Sequence, residues 1–527
     1  MTTLHEAPLR HAQYYLTVLQ KVSSLYLAGG ADQVEGLRRF DGELAQIDRG
    51  WRWAQGNSPA LDSLTVDYAK AATAVSDLRY SLRTDLLPRL SLALEAAERL
   101  DDWQAEGHLL SELGNICYAL GDIQQAIEYH NRRLSLAQRE GDLRGMSAAF
   151  TNLGLCYLAI SEIGRASDYQ ERSIEAARAY GDQGAESVAL GNLGLCYDAR
   201  GEAKQAIRCY EQQIVFARQL GHMRSEGIAL GNLGNAYMNL GDLRKAIECH
   251  ERALIISRAL GDKWSEGQDL GNLGSTYCRL AEMNQAVHYL EQRLSLAHAL
   301  GDRKGESAAL DNLALAYSEL KEFDRAIAYH NAALELNIAL NDSLGEAITL
   351  NNLGNTYLSQ GYPQKALENY QRALAGDRKG GYLFSEGRTL NNLGNAYSAL
   401  GDSLHAVECY EKSIAIADST GDTQTHALSS WNLGDELIKR GELDRAADLM
   451  QVLVDYKWKM GMLAAKRDAD ILATLRARIR MGGGIEDFKM LEKPISKSLT
   501  QLSRLDKSSG KQFQSTYCKL KIDVKSN

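Results

Sequence analysis

One asparagine recurs every forty residues, at Asn152, Asn192, Asn232, Asn272, Asn312, Asn352, Asn392 and Asn432. A primary amide donates and accepts hydrogen bonds, so a ladder of such groups suits the main chain of an extended polypeptide whatever its side chains. Asn235 and Asn239 lie three and seven residues after Asn232, and Asn355 and Asn395 repeat the first spacing after Asn352 and Asn392. On a helix these offsets share one polar stripe, set about 100° away from the neighbouring Leu233. The stripe is expected to line a concave groove. The same amides equally suit bonds to the adjacent repeat that fix its stacking, and both roles stand at this level.

Arg279 and Arg388 fall near that stripe, where a guanidinium would meet an acidic ligand. Arg144, Arg224, Lys263, Arg303 and Lys304 stand at the starts of the same segments, with Glu186, Glu226, Glu266 and Glu306 nearby, a pattern that also reads as ordinary solvated charge. Trp264, Leu344 and Phe384 share one column in which the other repeats carry small or polar residues. They suit either an apolar pocket for a ligand anchor or packing between repeats.

Catalytic and metal chemistry are not indicated. His130, His250 and His330 share a column also filled by Tyr210, Tyr370 and Tyr410, and forty-residue spacing keeps them on separate repeats, as packing residues rather than ligands of one metal ion. Cys249 and His250 point to different sides of a helix and form no nucleophile–base pair. The chain has no HExxH, GxSxG or GxxxxGK[ST] segment. The expectation is a non-enzymatic protein without a cofactor.

The elements that position these residues are legible in the period itself. The segments LGNLGNAYMNL, LGNLGSTYCRL, LDNLALAYSEL, LNNLGNTYLSQ and LNNLGNAYSAL align at forty-residue intervals, each followed by a second block such as GDLRKAIECHERALIISRALGD. Leu230, Leu233 and Tyr237 fall at i, i+3 and i+7, and Leu243, Ala246, Ile247, His250 and Leu254 continue helical spacing in the second block. Gly241 fits a left-handed helix end and Asp242 the N-cap of the next helix. Each unit is therefore helix, turn, helix. An isolated pair cannot cover its own apolar stripe, so neighbouring units must stack into one extended domain. Gly154, Gly194, Gly234, Gly274, Gly354 and Gly394 sit inside first helices, where glycine costs about 1 kcal/mol relative to alanine, so close helix packing is expected there.

The composition agrees. The 527 residues are 45% hydrophobic and 24% charged, with five prolines, which suits a folded helical chain. A formal net charge of -9 argues against nucleic acid as a partner. Eight scattered cysteines without a CxxC pair suit a reducing compartment, and no secretory leader or membrane-spanning apolar run is read, so a cytoplasmic location is expected.

The Leu-Gly spacing, the first-helix tyrosine and the second-helix alanine at Ala206, Ala246, Ala326, Ala366 and Ala406 resemble tetratricopeptide repeats. The forty-residue form is similar to the repeats of spindle-orientation adaptors and to those of bacterial signal-transduction ATPases and regulators. The resemblance implies an all-α, right-handed superhelical solenoid that binds peptides. Expected boundaries are an N-terminal helical segment over 1–62, a degenerate capping repeat over 63–102, about nine repeats over 103–460, a capping helix over 461–481 and a flexible basic tail over 482–527. The expected function is a scaffold that holds an extended, acidic segment of another protein along Asn192 to Asn395. A peptide-responsive regulatory sensor and a self-assembling structural protein are the alternatives.

Overall fold

The computed structural model describes residues 3–28, 30–56, 60–73, 80–459 and 465–480, and the regular structure among them is all helical. The expected tail over 482–527 lies outside the described residues. The chain divides into two compact units, Met1–Leu220 and Gly221–Asn527.

The first unit opens with α1 (Thr3–Ala28), α2 (Gly30–Gly56), α3 (Asp62–Ala72) and α4 (Leu87–Arg99). Three helix pairs follow: α5 (Trp103–Ala119) with α6 (Ile123–Glu140), α7 (Leu143–Ala159) with α8 (Ile163–Tyr180), and α9 (Gln183–Ala199) with α10 (Ala203–Gln219). The opening helices bury Phe40, Ile47, Trp51 and Tyr68, and the Tyr68 hydroxyl donates to the Ala12 carbonyl at 2.7 Å, tying α3 to α1.

The second unit holds six pairs and one last helix. These are α11 (Met223–Leu240) and α12 (Leu243–Ala259), α13 (Lys263–Arg279) and α14 (Met283–Ala299), α15 (Arg303–Glu319) and α16 (Phe323–Ala339). They continue with α17 (Ser343–Gln360) and α18 (Pro363–Gly380), α19 (Leu383–Ala399) and α20 (Ser403–Thr420), α21 (Thr423–Arg440) and α22 (Leu443–Lys459), then α23 (Ala465–Arg480). Within each unit a second helix packs on its own first helix and on that of the next repeat. First helices of neighbouring repeats also touch, as α11 does α13 and α13 does α15, so they form the tighter of two layers.

The turns are built as their residues dictate. Asp142, Asp262, Asp302 and Asp342 cap their helices by accepting the backbone N–H three residues on, and Gly241 and Gly361 precede their turns at φ 88° and 90°. Lys321 takes the same left-handed conformation at φ 64° with a side chain that disfavours it.

The mid-helix glycines admit the second helix. A Cβ on Gly234 would lie 2.5 Å from the His250 ring, one on Gly354 2.5 Å from the Tyr370 ring, and one on Gly394 2.4 Å from the Tyr410 ring. Each ring is buried and occupies the space a methyl would fill. Where Ala314 replaces the glycine, the partner His330 instead hydrogen-bonds Asp311 and Thr356.

A second pattern fixes which repeat follows which. Ala137 and Ala149, and Ala297 and Ala309, are buried at equivalent positions of a second helix and the next first helix. At three other junctions both members are polar: Ser257 donates to Asp269 at 2.9 Å, Asn337 to Thr349 at 3.1 Å, and Thr389 to Asp377 at 2.8 Å. Exchanging one member would leave a buried polar group unmatched, at a cost of about 1–3 kcal/mol. Gly354→Ala is expected to lower stability by about 1–3 kcal/mol, because the clash with Tyr370 outweighs the helix propensity gained. Thermal unfolding followed by circular dichroism, beside a Gly271→Ala control with no atom within 4 Å of its new methyl, reads the difference.

Candidate functional site

The recurrent asparagines divide into two groups. Asn352 donates to Asp311 at 2.8 Å, Asn392 to Asn351 at 2.9 Å, and Asn432 to Asn391 at 2.8 Å and to Asn395 at 3.2 Å. In the first unit Asn152 donates to Asn115 at 3.2 Å. Every acceptor lies on the preceding first helix, so these amides join repeats. Asp311, Asn351 and Asn391 all occupy the position directly before the recurrent asparagine.

At that position α11 and α13 carry Gly231 and Gly271. On the helices that precede Asn272 of α13 and Asn312 of α15, that column therefore carries no side chain. A Cβ on Gly271 would meet nothing within 4 Å, and one on Gly231 would come no closer than 3.8 Å, to Asp269 Oδ1. The first helices here present bare backbone between half-buried amides. Asn232, Asn235 and Asn239 on α11, Asn272 and Arg279 on α13, and Asn312 on α15 thus stand on three adjacent helices of one layer, all partly exposed.

The other expected site residues are placed differently. Asn192 is buried on α9 in the first unit. Asn355 and Asn395 accept 2.8 Å hydrogen bonds from the hydroxyls of Tyr370 and Tyr410, and so anchor the rings that fill the glycine gaps. Arg388 is half-buried on α19, with α15 and α17 between it and α13. Trp264, Leu344 and Phe384 occupy the first turns of α13, α17 and α19, so Trp264 stands apart from the other two.

Five stretches of the chain, residues 109–144, 145–214, 225–298, 306–379 and 387–420, match family models described as tetratricopeptide repeat. The chain belongs to the tetratricopeptide repeat family. No curated protein matches it. Among solved structures it is similar to BtubC (BKLC) from P. vanneervenii, at 25% identity over 42% of this chain and 92% of that one, with a TM-score of 0.37. The signal transduction ATPase with a tetratricopeptide repeat sensor from Pyrococcus horikoshii shares 13% identity over 76% of this chain, with a TM-score of 0.50; the match spans 62% of that protein. The quorum sensor NprR from B. thuringiensis shares 15% identity over 67% of this chain and 97% of its own, with a TM-score of 0.49. No helix among the described residues is long and apolar enough to cross a membrane.

The basic residues at the starts of the tetratricopeptide first helices have acidic neighbours. Arg224 pairs with Asp262 at 3.0 Å, Lys263 with Glu266 at 2.8 Å and Arg303 with Glu306 at 3.8 Å. Arg178 and Arg258, each at the end of a second helix, bind Glu186 and Glu266 eight residues on, at 2.7 and 2.9 Å. The charge is thus largely compensated within the array.

Two groups escaped the reading of the sequence. Asp311, His330, Asn352 and Thr356 form a buried network: His330 Nδ1 lies 2.6 Å from Asp311 Oδ1 and Nε2 lies 3.2 Å from Thr356 Oγ1. The other is Asp269 of α13, beside Gly231. Burial pushes its carboxyl up to about 7, against the opposing pull of the Ser257 hydrogen bond. The sequence held a signal for both, since the column Gly231, Gly271, Asp311, Asn351, Asn391 changes character midway.

The Asp269 carboxyl is held above its unfolded value, so ionisation opposes folding. The penalty is absent below about pH 4, grows as pH rises towards 7, and is complete above it. Asp269→Asn is expected to stabilise the second unit at pH 8, by up to about 4 kcal/mol from three pH units at 1.36 kcal/mol each, and to lose that advantage near pH 4. Thermal melts of both proteins across that range test it.

Proposed function

We propose that the array is a protein-interaction scaffold whose second unit holds an extended segment of another protein against α11, α13 and α15. The observation that carries this reading is the pairing of Gly231 and Gly271 with Asn272 and Asn312. Where Asp311, Asn351 and Asn391 fill the acceptor column, the recurrent amide is used between repeats. At Gly231 and Gly271 that column carries no side chain, and a ligand main chain can approach the helix closely. Peptide N–H and C=O groups then match the amides of Asn232, Asn272 and Asn312, with Asn235 and Asn239 extending the ladder along α11. Such contacts select an extended backbone rather than a particular sequence. Arg279, at the end of α13, supplies a cation for a carboxylate on the segment, the acidic feature expected of the partner. Asn352 and Asn392 keep their role between repeats.

Peptide-display selection on the intact protein supplies the ligands. Gly271→Ala is expected to leave the melting temperature unchanged or slightly raised while weakening the selected peptides at least tenfold, because its methyl occupies the approach path. Asn352→Ala is expected to do the reverse, lowering the melting temperature through the unmet Asp311 oxygen and leaving affinity within about twofold. Equal affinity of parent and Gly271→Ala, or no enrichment at all, would remove α11 to α15 as the binding face.

A further inference from the structure

Along the first-helix layer, the position directly before the recurrent asparagine meets a fixed position of the next first helix. Asn351 donates to Thr389 at 3.3 Å and Ser429 donates to Asn391 at 3.1 Å, each pair 38 residues apart. In the first unit the column carries Gly191, and Gln213 fills the space, since a Cβ there would lie 2.6 Å from its Nε2. Between α11 and α13 the corresponding pair is Gly231 and Asp269.

Here one member has no side chain and the other is a carboxylate. Asp269 is 7% exposed, and Ser257 donates to its Oδ2 at 2.9 Å. The other oxygen, Oδ1, stands 3.8 Å from the point where a Cβ on Gly231 would be, and among the described residues no other atom of a neighbouring helix lies within 4 Å of that point. Gly231 is partly exposed, so the gap is reached from solvent. In the column of Asp269 other repeats carry Ala149, Ala189, Ala229 and Ala309. The charges that face its carboxyl are acidic, Asp262 and Glu266, while α11 and α12 present Gly231 and Ser257 to it. A buried carboxylate served by one hydroxyl is costly to keep ionised, and a cation that donates hydrogen bonds relieves that cost best.

We propose that Gly231 and Asp269 form a subsite for one cationic side chain, lysine or arginine, of the bound segment. The subsite belongs to the face of α11, α13 and α15 and rests on the reading of that face as the binding surface. The slot left at residue 231 admits a slender side chain, whose N–H groups then reach Oδ1 much as the Asn351 amide reaches Thr389. A neutral side chain of similar length would fill the slot without meeting the charge, so the subsite selects for charge as well as shape.

Peptide-display selection at pH 8 on the full chain and on Asp269→Asn tests the proposal. Ligands of the parent should carry lysine or arginine at one fixed position, and exchanging that residue for glutamine should weaken them at least tenfold. In Asp269→Asn that preference should disappear while the other enriched positions remain. Burial pushes the Asp269 carboxyl up to about 7, so protonation below that pH removes the charge. Affinity of the parent should therefore fall by up to about tenfold per unit below pH 7 and stay level in the variant. Gly231→Asn gives a readout that needs no ligand. Its amide should meet Oδ1, so that adding Asp269→Asn raises the melting temperature at pH 8 by less than half as much as in the parent. Ligands with no fixed basic position, a basic preference kept in Asp269→Asn, or an undiminished effect of Asp269→Asn beside Gly231→Asn would overturn the subsite and leave the binding face standing. No enrichment on the parent would remove the face and the subsite together.

Discussion

Each tetratricopeptide pair here depends on how closely its second helix can approach its first. At Gly234, Gly354 and Gly394 the approach is set by a ring pressed where a Cβ would otherwise stand. A glycine within a helix is unfavourable by about 1 kcal/mol, and the repeated arrangement offsets that by burying a large side chain against bare backbone. Because the ring on the second helix also reaches a first-helix amide, as Tyr370 does Asn355 and Tyr410 does Asn395, the close contact and a hydrogen bond share one residue. The spacing of the two layers follows from this contact.

Stacking of one pair on the next is governed separately. The apolar stripe is nearly the same in every repeat, so hydrophobic burial alone would accept many orders and registers. The polar junctions distinguish them: Ser257 bonds Asp269, Asn337 bonds Thr349 and Thr389 bonds Asp377, where the other junctions carry alanine. The asparagine bridges across the first-helix layer act in the same way between α15 and α21. An array so connected holds its first helices in fixed relation, which an extended ligand requires of the surface it lies on.

The first-helix layer of the second unit changes character along its length. From α15 onward, amides, Asp311 and the buried His330 satisfy one another. On α11 and α13 the same column carries Gly231 and Gly271. Backbone left bare beside polar groups is costly in a helix without a packing reason, and Gly271 has no packing reason, since a methyl would meet nothing there.

The sequence by itself determined the helices, their pairing and their punctuation. A forty-residue repeat of the apolar stripe, the Gly-Asp turns and the capping aspartates is local information, and local geometry reads it directly. It also named the asparagine column. It did not show which of those amides join repeats, because the acceptor of Asn352 is forty-one residues earlier, on another helix. Nor did it show that Asp269 lies buried beside Gly231, or that Arg224 meets Asp262 at the start of the next repeat. Those facts depend on which residues tertiary stacking brings within a few ångströms of each other, and a hydrogen bond is decided at that distance.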